Sequence, residues 1–344
     1  MTHVRTHELK RHLALGLLAL AAVLMFLPKA SHAMTISPPT LDFTLNPGDV
    51  VSDVVQIYNE EGIAFKIQPN ALNFYTKEGD EITGAPEFYA ADEVRNGYEL
   101  APWLEMGGGS TVIDSKERVN IPFSIRVPED AAPGSHFGAI RILASKPDEI
   151  APMEGSSLDI QRGTTVLIFV RVTGDVRDEL AVSQFGPQKD ALSHLPADFT
   201  VRLTNGGTSH QRPTGNVIIK DMWGRQVASL VVNPGPQYRS VLPSSVRRFD
   251  VTWARRRLPD GTGEYEQQLR NFAFGKYTAA LLVNYGSPSQ QKSLSAVATF
   301  IVVPWLALAT YAGAALVLLL LAVLGTRAYN RMIIRRYEQS KRKP

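Results

Sequence analysis

The chain has 344 residues, with 36 Lys and Arg against 33 Asp and Glu, and no cysteine. Without thiols it has no disulfide staples, thiolate metal ligands or cysteine nucleophile, so hydrophobic burial must hold it together. The formal net charge of +3 comes from the two ends; the long middle is net acidic and lacks the clustered cations of a nucleic-acid binder.

Residues 1–33 read as a signal peptide. Arg5, Lys10 and Arg11 precede the apolar run Leu13–Leu27, and the small residues Ser31 and Ala33 sit at −3 and −1 of a cleavage site. That run is too short for a comfortable membrane span. From there the chain reads as strand after strand. Val51–Tyr58, Val119–Val127, Phe137–Leu143 and Thr165–Val172 are short, rich in β-branched residues and bounded by Gly, Pro, Asn or Asp, as strands should be. The texture returns at Phe199–Thr204, Val217–Lys220, Val227–Val232, Phe249–Trp253, Tyr277–Tyr285 and Leu294–Val302. No amphipathic helix is expected between the hydrophobic ends, and Pro259–Gly263 reads as a loop. Frequent turn signals between short strands point to β-sandwiches.

An internal echo sets the domain count. Val55–Asn59 is matched by Val201–Asn205, each an alternating strand ending in Asn with Gly close behind, and both residue types allow a sharp exit from a strand. Gly138–Ile142 is echoed by Gly275–Leu281 in the same order. Two tandem sandwiches follow, over residues 34–173 and 174–300, with one large sandwich as the alternative.

No charged residue occurs between Lys292 and Arg327, and Val303–Leu324 is long enough to cross a bilayer. The span is expected over 301–325 and a basic cytoplasmic tail over 326–344. Arg327, Arg331, Arg335 and Arg336 are the orienting residues, because basic flanks stay on the cytoplasmic side. The lipid bilayer is therefore one expected partner. The bulk of the chain is placed outside the plasma membrane, on a single pass.

Catalysis finds little support. His3, His7, His12 and His32 lie in the signal peptide, and His136, His194 and His210 show no metal-ligand spacing. Ser135 beside His136 is no triad, no Gly-x-Ser-x-Gly elbow occurs, and Gly107–Ser110 lacks the Lys of a phosphate loop. No catalytic residue, metal or cofactor is expected. Recognition falls instead to aromatic and polar side chains in loops. Tyr75, Tyr89 and Tyr98 lie in or beside an acidic, Gly-containing stretch, and aromatic faces near hydrogen-bonding groups suit sugar rings. Trp103, between Leu100 and Leu104, is assigned to packing. In the second half, His210 and Arg212 sit in a polar loop between two strands and are the other candidate contacts.

The run Ile36-Ser37-Pro38-Pro39, Asn46-Pro47-Gly48-Asp49, Val55-x-Ile57-x-Asn59 resembles immunoglobulin-like domains of the pilus-chaperone and major-sperm-protein type. Ile121-Pro122-Phe123 and Val127-Pro128-Glu129-Asp130-Ala131-x-Pro133-Gly134 continue the likeness. The layout of signal peptide, two such domains, one span and a basic tail is similar to that of bacterial WxL-interacting proteins. That resemblance implies a first domain that binds peptidoglycan and a second that binds a partner. The expected fold class is all-β, two tandem immunoglobulin-like β-sandwiches followed by one C-terminal transmembrane helix. The expected function is non-enzymatic binding or scaffolding of cell-wall glycan or another surface protein. The alternative is a membrane-tethered assembly chaperone acting by strand donation.

Protease added to spheroplasts should digest residues 34–300 and spare a C-terminal tag; protection of the large region would reverse the topology. Ala315→Arg, near the centre of the span, should impair insertion by about 2.5–3.5 kcal/mol.

Overall fold

The computed structural model describes residues 34–77, 81–82, 84–145, 162–236, 238–287 and 290–341, with side chains described up to Arg335 in the final helix. The signal peptide expected over residues 1–33 lies outside the described residues. Four sheets form two sandwiches. In the first, an antiparallel sheet runs β1 (Met34–Ser37), β3 (Val50–Asn59), β8 (Arg118–Arg126), β6 (Leu104–Met106). It faces a sheet ordered β2 (Thr40–Leu45), β10 (Arg162–Val172), β9 (Gly134–Ser145), β4 (Phe65–Thr76), β5 (Pro86–Tyr89), with β7 (Thr111–Ile113) also on β4. In the second sandwich, β11 (Leu180–Pro187), β13 (Ala197–Asn205) and β16 (Val246–Trp253) face a larger sheet. That sheet runs β12 (Ala191–Leu192), β18 (Gln290–Val302), β17 (Gly275–Ser287), β14 (Thr214–Lys220), β15 (Gln226–Val232).

The alternation visible in the sequence fills the two cores. In the first, Val55, Ile57, Ile121, Phe123 and Ile125 point at Ile140, Ile142, Val166, Ile168 and Val170. In the second, Phe199, Val201, Leu203 and Phe249 meet Ala279, Leu281 and Phe300. There Trp253 lies edge-on to Tyr277 at 5.0 Å and to Phe300 at 6.0 Å. Each large side chain so buried stabilises the fold by about 1.5–3 kcal/mol.

The two sandwiches repeat one topology, down to the parallel pairing of β2 with β10 and of β12 with β18. The echoed asparagines explain why the same strand exit recurs. Asn59 donates through Nδ2 to Ile63 O (2.8 Å) and Asp114 O (3.0 Å), and its Oδ1 accepts the Glu61 N–H (2.9 Å). Asn205 donates to Ser209 O (2.8 Å) and Val241 O (2.9 Å) and accepts the Gly207 N–H (2.9 Å). Both are fully buried. The facing turns match as well, each with one left-handed residue, Lys116 at φ 61 and Ser244 at φ 55. A buried amide thus plugs one end of each sandwich and satisfies loop carbonyls that would otherwise be orphaned.

All ten strands read from the sequence are present. Three features differ from the reading. A short helix, α1 (Glu264–Arg270), follows the expected loop and packs on the final helix, α2 (Trp305–Lys341). At seven residues it is too short to show a helical period. The twelve-residue β4 was masked by Pro69, which sits between the stretch paired with β7 and the stretch paired with β5. Among the described residues nothing flanks that side there, so its missing N–H costs no ladder bond. Tyr75 and Tyr89 consequently stand on neighbouring strands, not in a loop.

Asn59→Ala and Asn205→Ala should each destabilise the protein by about 2–3 kcal/mol, since each leaves buried carbonyls unpaired. Urea unfolding of the two variants measures this; losses below about 0.5 kcal/mol would show that water replaces the amide.

Candidate functional site

The linker 173–179 and the loop from Gly206 to Arg212 bring the sandwiches together. The loop is pressed on the linker so closely that a Cβ on Gly207 would lie 2.2 Å from Arg177 O. Only glycine fits there. The Thr208 N–H donates to Arg177 O (2.9 Å), and Thr208 O accepts the Ser135 N–H (2.9 Å) at the start of β9. Asp178 is the hub. Its carboxylate takes two bonds from Arg171 Nη2 of β10 (2.9 and 2.8 Å), one from Gln211 Nε2 (2.7 Å) and one from the Ser209 hydroxyl. Lys292 Nζ donates to the Asp178 carbonyl at 2.7 Å, and Gln211 Oε1 accepts the Gly286 N–H at 2.9 Å. Burial pushes the Asp178 carboxyl up, but bonds from Ser209, Arg171 and Gln211 outweigh it and hold the group below its ordinary value.

A second cluster crosses the interface beside it. The His210 backbone N–H donates to Ser135 Oγ (2.8 Å), and the same Oγ shares a second hydrogen bond with His210 Nδ1 (2.7 Å). His210 Nε2 faces Asp42 at 3.7 Å, and Arg212 pairs with the same carboxylate. Asp42 is raised by desolvation yet held below its ordinary value by His210 and Arg212. Serine, histidine and aspartate do meet here, across residues far apart in sequence. Ser135 is buried and already accepts a backbone bond, so the set ties the sandwiches rather than presenting a nucleophile. Apolar packing completes the joint: Leu242 inserts among Phe74, Phe137, Ala139 and Phe169 of the first sandwich.

Above this joint lies an open cleft of about 380 Å³. Pro39, Thr40, Leu167 and Phe169 form one wall, and Arg212, Tyr238, Arg239 and Arg247 the other. Its far end is closed by the loop after β4, where Glu81 pairs with Arg202 (2.8 Å) and accepts the Arg248 N–H at its carbonyl (2.8 Å). The cleft wall carries apolar surface and guanidinium donors together.

The five candidate contacts fall in two places. Tyr75 and Tyr89 stand side by side, ring centroids 6.0 Å apart, with the Arg95 guanidinium 5.3 and 4.6 Å from their rings. Their hydroxyls are committed within the chain, Tyr75 to the half-exposed Glu87 and Tyr89 to the buried Glu99 Oε1 at 3.0 Å. Tyr89 is buried at 6% exposure, and its hydroxyl is pushed well up by burial and the Glu99 carboxylate. Glu99, raised by burial, is brought below its ordinary value by the backbone N–H groups of Arg95 and Asn96. Tyr98 lies apart, half-buried and stacked on Phe137 at 5.5 Å. His210 and Arg212 meet residues of the first sandwich, as above. Trp103 packs 4.3 Å from the His136 ring against the first core. Arg327, Arg331 and Arg335 project from α2 beyond the apolar stretch; Arg336 shares the helix, its side chain outside the described ones. Sequence reasoning missed Asp42, Asp178, Arg239 and Arg247 and weighed Ser135 only against its neighbour His136; apart from Arg171–Asp178 and Arg247–Ser240, seven positions apart, the partners are distant in the chain, and no motif links them. Among the described residues no cluster of His, Asp or Glu has the form of a metal site.

No family model matches the chain, and no curated protein matches it. Solved structures similar to it include the class 5 fimbriae chaperone CfaA, at 11% identity and TM-score 0.39, covering 77% of this chain and 98% of that one. The E. coli chaperone DraB is 12% identical, TM-score 0.32, over 76% of this chain and 96% of that one. A CsuC–CsuE chaperone–tip subunit complex of Acinetobacter baumannii is matched at 9% identity and TM-score 0.35, over 76% and 97%.

Asp178→Ala should cost about 3 kcal/mol by leaving Arg171 without its buried partner. Both Asp42 and Asp178 have depressed folded values, so their stabilisation is full above about pH 4 and is lost as pH falls through those values. Calorimetry from pH 7 to pH 3 should show the joint weakening only in the acid range; weakening above pH 5 would assign it to another group.

Proposed function

We propose that this chain is a membrane-anchored, non-enzymatic binding protein of the cell envelope whose ligand is an extended segment of another surface protein. The observation that carries this reading is the edge of β10. Along Leu167–Val172 the strand is flanked by β2, but beside Arg162–Val166 no described residue pairs on that side. The Leu167 N–H points to Pro39 O. Because N–H groups alternate along a strand, the Thr165 N–H faces the same way, where no strand pairs among the described residues. An extended polypeptide gains main-chain bonds at such an edge. Where β2 begins, Leu167 and Phe169 turn into the arginine-lined cleft. A segment paired with the edge would run toward the guanidinium groups of Arg212 and Arg239, which already bond Asp42 and the Ile82 carbonyl and so show the carboxylates and backbone carbonyls such groups bind.

This reading favours a protein ligand over a cell-wall glycan, since the hydroxyls of Tyr75 and Tyr89 are spent within the chain. The assembly-chaperone alternative uses the same edge and differs in whether the partner is later released. In either case α2, with mean hydropathy 2.4 over its apolar part, is the anchor.

Thr165→Pro removes the edge-facing N–H and leaves the β9 ladder intact. It should change the melting temperature by no more than about 3 °C and reduce recovery of the partner from detergent-solubilised envelopes about tenfold, the loss expected for about 1.4 kcal/mol. Recovery at the parent level would overturn the edge as the binding site.

A further inference from the structure

The geometry points to a second interaction surface: the base of the second sandwich is a lipid-docking face, seated in the headgroup layer of the bilayer that α2 crosses. This rests on the reading of α2 as an anchor and adds where the sandwich sits relative to the lipid.

Length sets the argument. The uncharged stretch of α2 is Trp305–Thr326, 22 residues, or about 33 Å at 1.5 Å per residue. The hydrocarbon layer is about 30 Å thick. With Arg327 at one interface, the other falls at Trp305, three residues after β18 ends at Val302. No stalk remains between sandwich and membrane. Nor can the helix swing freely. The Leu306 and Ala307 N–H groups, unpaired within the helix, donate to the buried Gln268 Oε1 of α1 at 2.8 and 3.1 Å. Ala307 is fully buried, and Tyr311 meets Phe272 at 6.3 Å. The sandwich must therefore bring its base to the headgroups.

That base carries the side chains such a position calls for. The β14–β15 turn lies beside the helix entry, since Met222 packs on Gly275, whose strand partner is Val302. There Trp223 is 70% exposed, Trp305 69% and Phe274 50%. Three large aromatic side chains turned to water at one end of a domain are costly, whereas tryptophan is favoured at the membrane–water boundary. Arg225 lies 4.9 Å from the Trp223 ring. The exposed run Arg255–Arg257 is tied to the same end through Asn271, which bonds the Arg256 N–H at 2.6 Å and its carbonyl at 3.0 Å. Of the acidic groups at this end, Asp221 and Glu266 are paired with Arg225 and Arg270 and Glu264 accepts a bond from Gln268, while Asp260 is exposed. The surplus cations complement anionic headgroups, as juxtamembrane basic clusters do.

The chain has no cysteine, so single-cysteine labels report cleanly. Full-length Trp223→Cys and Phe274→Cys, each carrying an environment-sensitive fluorophore, would be reconstituted in nanodiscs of phosphatidylcholine and phosphatidylglycerol containing a headgroup-region spin-label quencher. Ala315→Cys, read in parallel nanodiscs whose spin-label quencher sits in the mid-acyl chain, marks the span, and Val94→Cys the distant first sandwich. Labels at 223 and 274 should be quenched at least threefold more than the label at 94. Quenching at 315 with none at 223 and 274 would overturn the docking face and leave the anchor standing. Absence of quenching at 315 would remove the anchor and the proposal together.

Discussion

The joint between the sandwiches depends on one buried carboxylate. Asp178 is the point where β10, the linker, the β13–β14 loop and, through Lys292 and Gln211, the larger sheet of the second sandwich are held at once. A carboxylate can accept about four hydrogen bonds, and here Arg171, Ser209 and Gln211 use that capacity. Without them the charge would be expensive to bury. Because the set is satisfied, it fixes the angle between two units that would otherwise hinge at a seven-residue linker. The cleft exists only as a consequence of that angle, since its two walls come from different sandwiches.

The same economy recurs inside each unit. A buried asparagine closes one end of each sandwich by bonding two loop carbonyls and one loop N–H, with a left-handed residue in the facing turn. In the second sandwich this plug does additional service. The loop that Asn205 shapes is the one that carries Ser209, His210, Gln211 and Arg212 to the joint. Fold and interface are thus coupled through one side chain, whereas Asn59 in the first sandwich closes a turn that lies away from the joint.

Position along the second sandwich separates two tasks. Strand β18 runs from Lys292, which touches Asp178, to Val302 at the entry of α2. Ten residues of extended chain span about 33 Å. In the proposed arrangement the membrane end carries aromatic and basic side chains while the cleft is held about that far above the lipid, with the open β10 edge further out. Gln268 makes the connection stiff by capping N–H groups that a helix leaves unpaired at its start.

Much of the fold was legible in the sequence because it rests on local periodicity. Alternation over Val119–Val127 or Tyr277–Tyr285 dictates which face is buried, and an uncharged run of 22 residues from Trp305 is apolar whatever surrounds it. The Asn–Gly echo carried the tandem repeat for the same reason: each copy needs the same strand exit. What the sequence misjudged was context. Pro69 reads as a strand breaker until β4 is seen to lack a neighbour at that point, and seven residues of α1 are too few to show a helical period. The tyrosines at 75 and 89 look free to bind until Glu87 and Glu99 are placed against them. For the joint and the cleft, no local pattern exists. Asp42 meets Arg212 across 170 positions and Ser135 meets His210 across 75, so those contacts were decided by the packing of one sandwich on the other. Sequence determined the strands, their buried faces and the apolar helix; only the tertiary structure decided which polar groups would satisfy one another, because burial makes them pair and the fold alone brings the partners together.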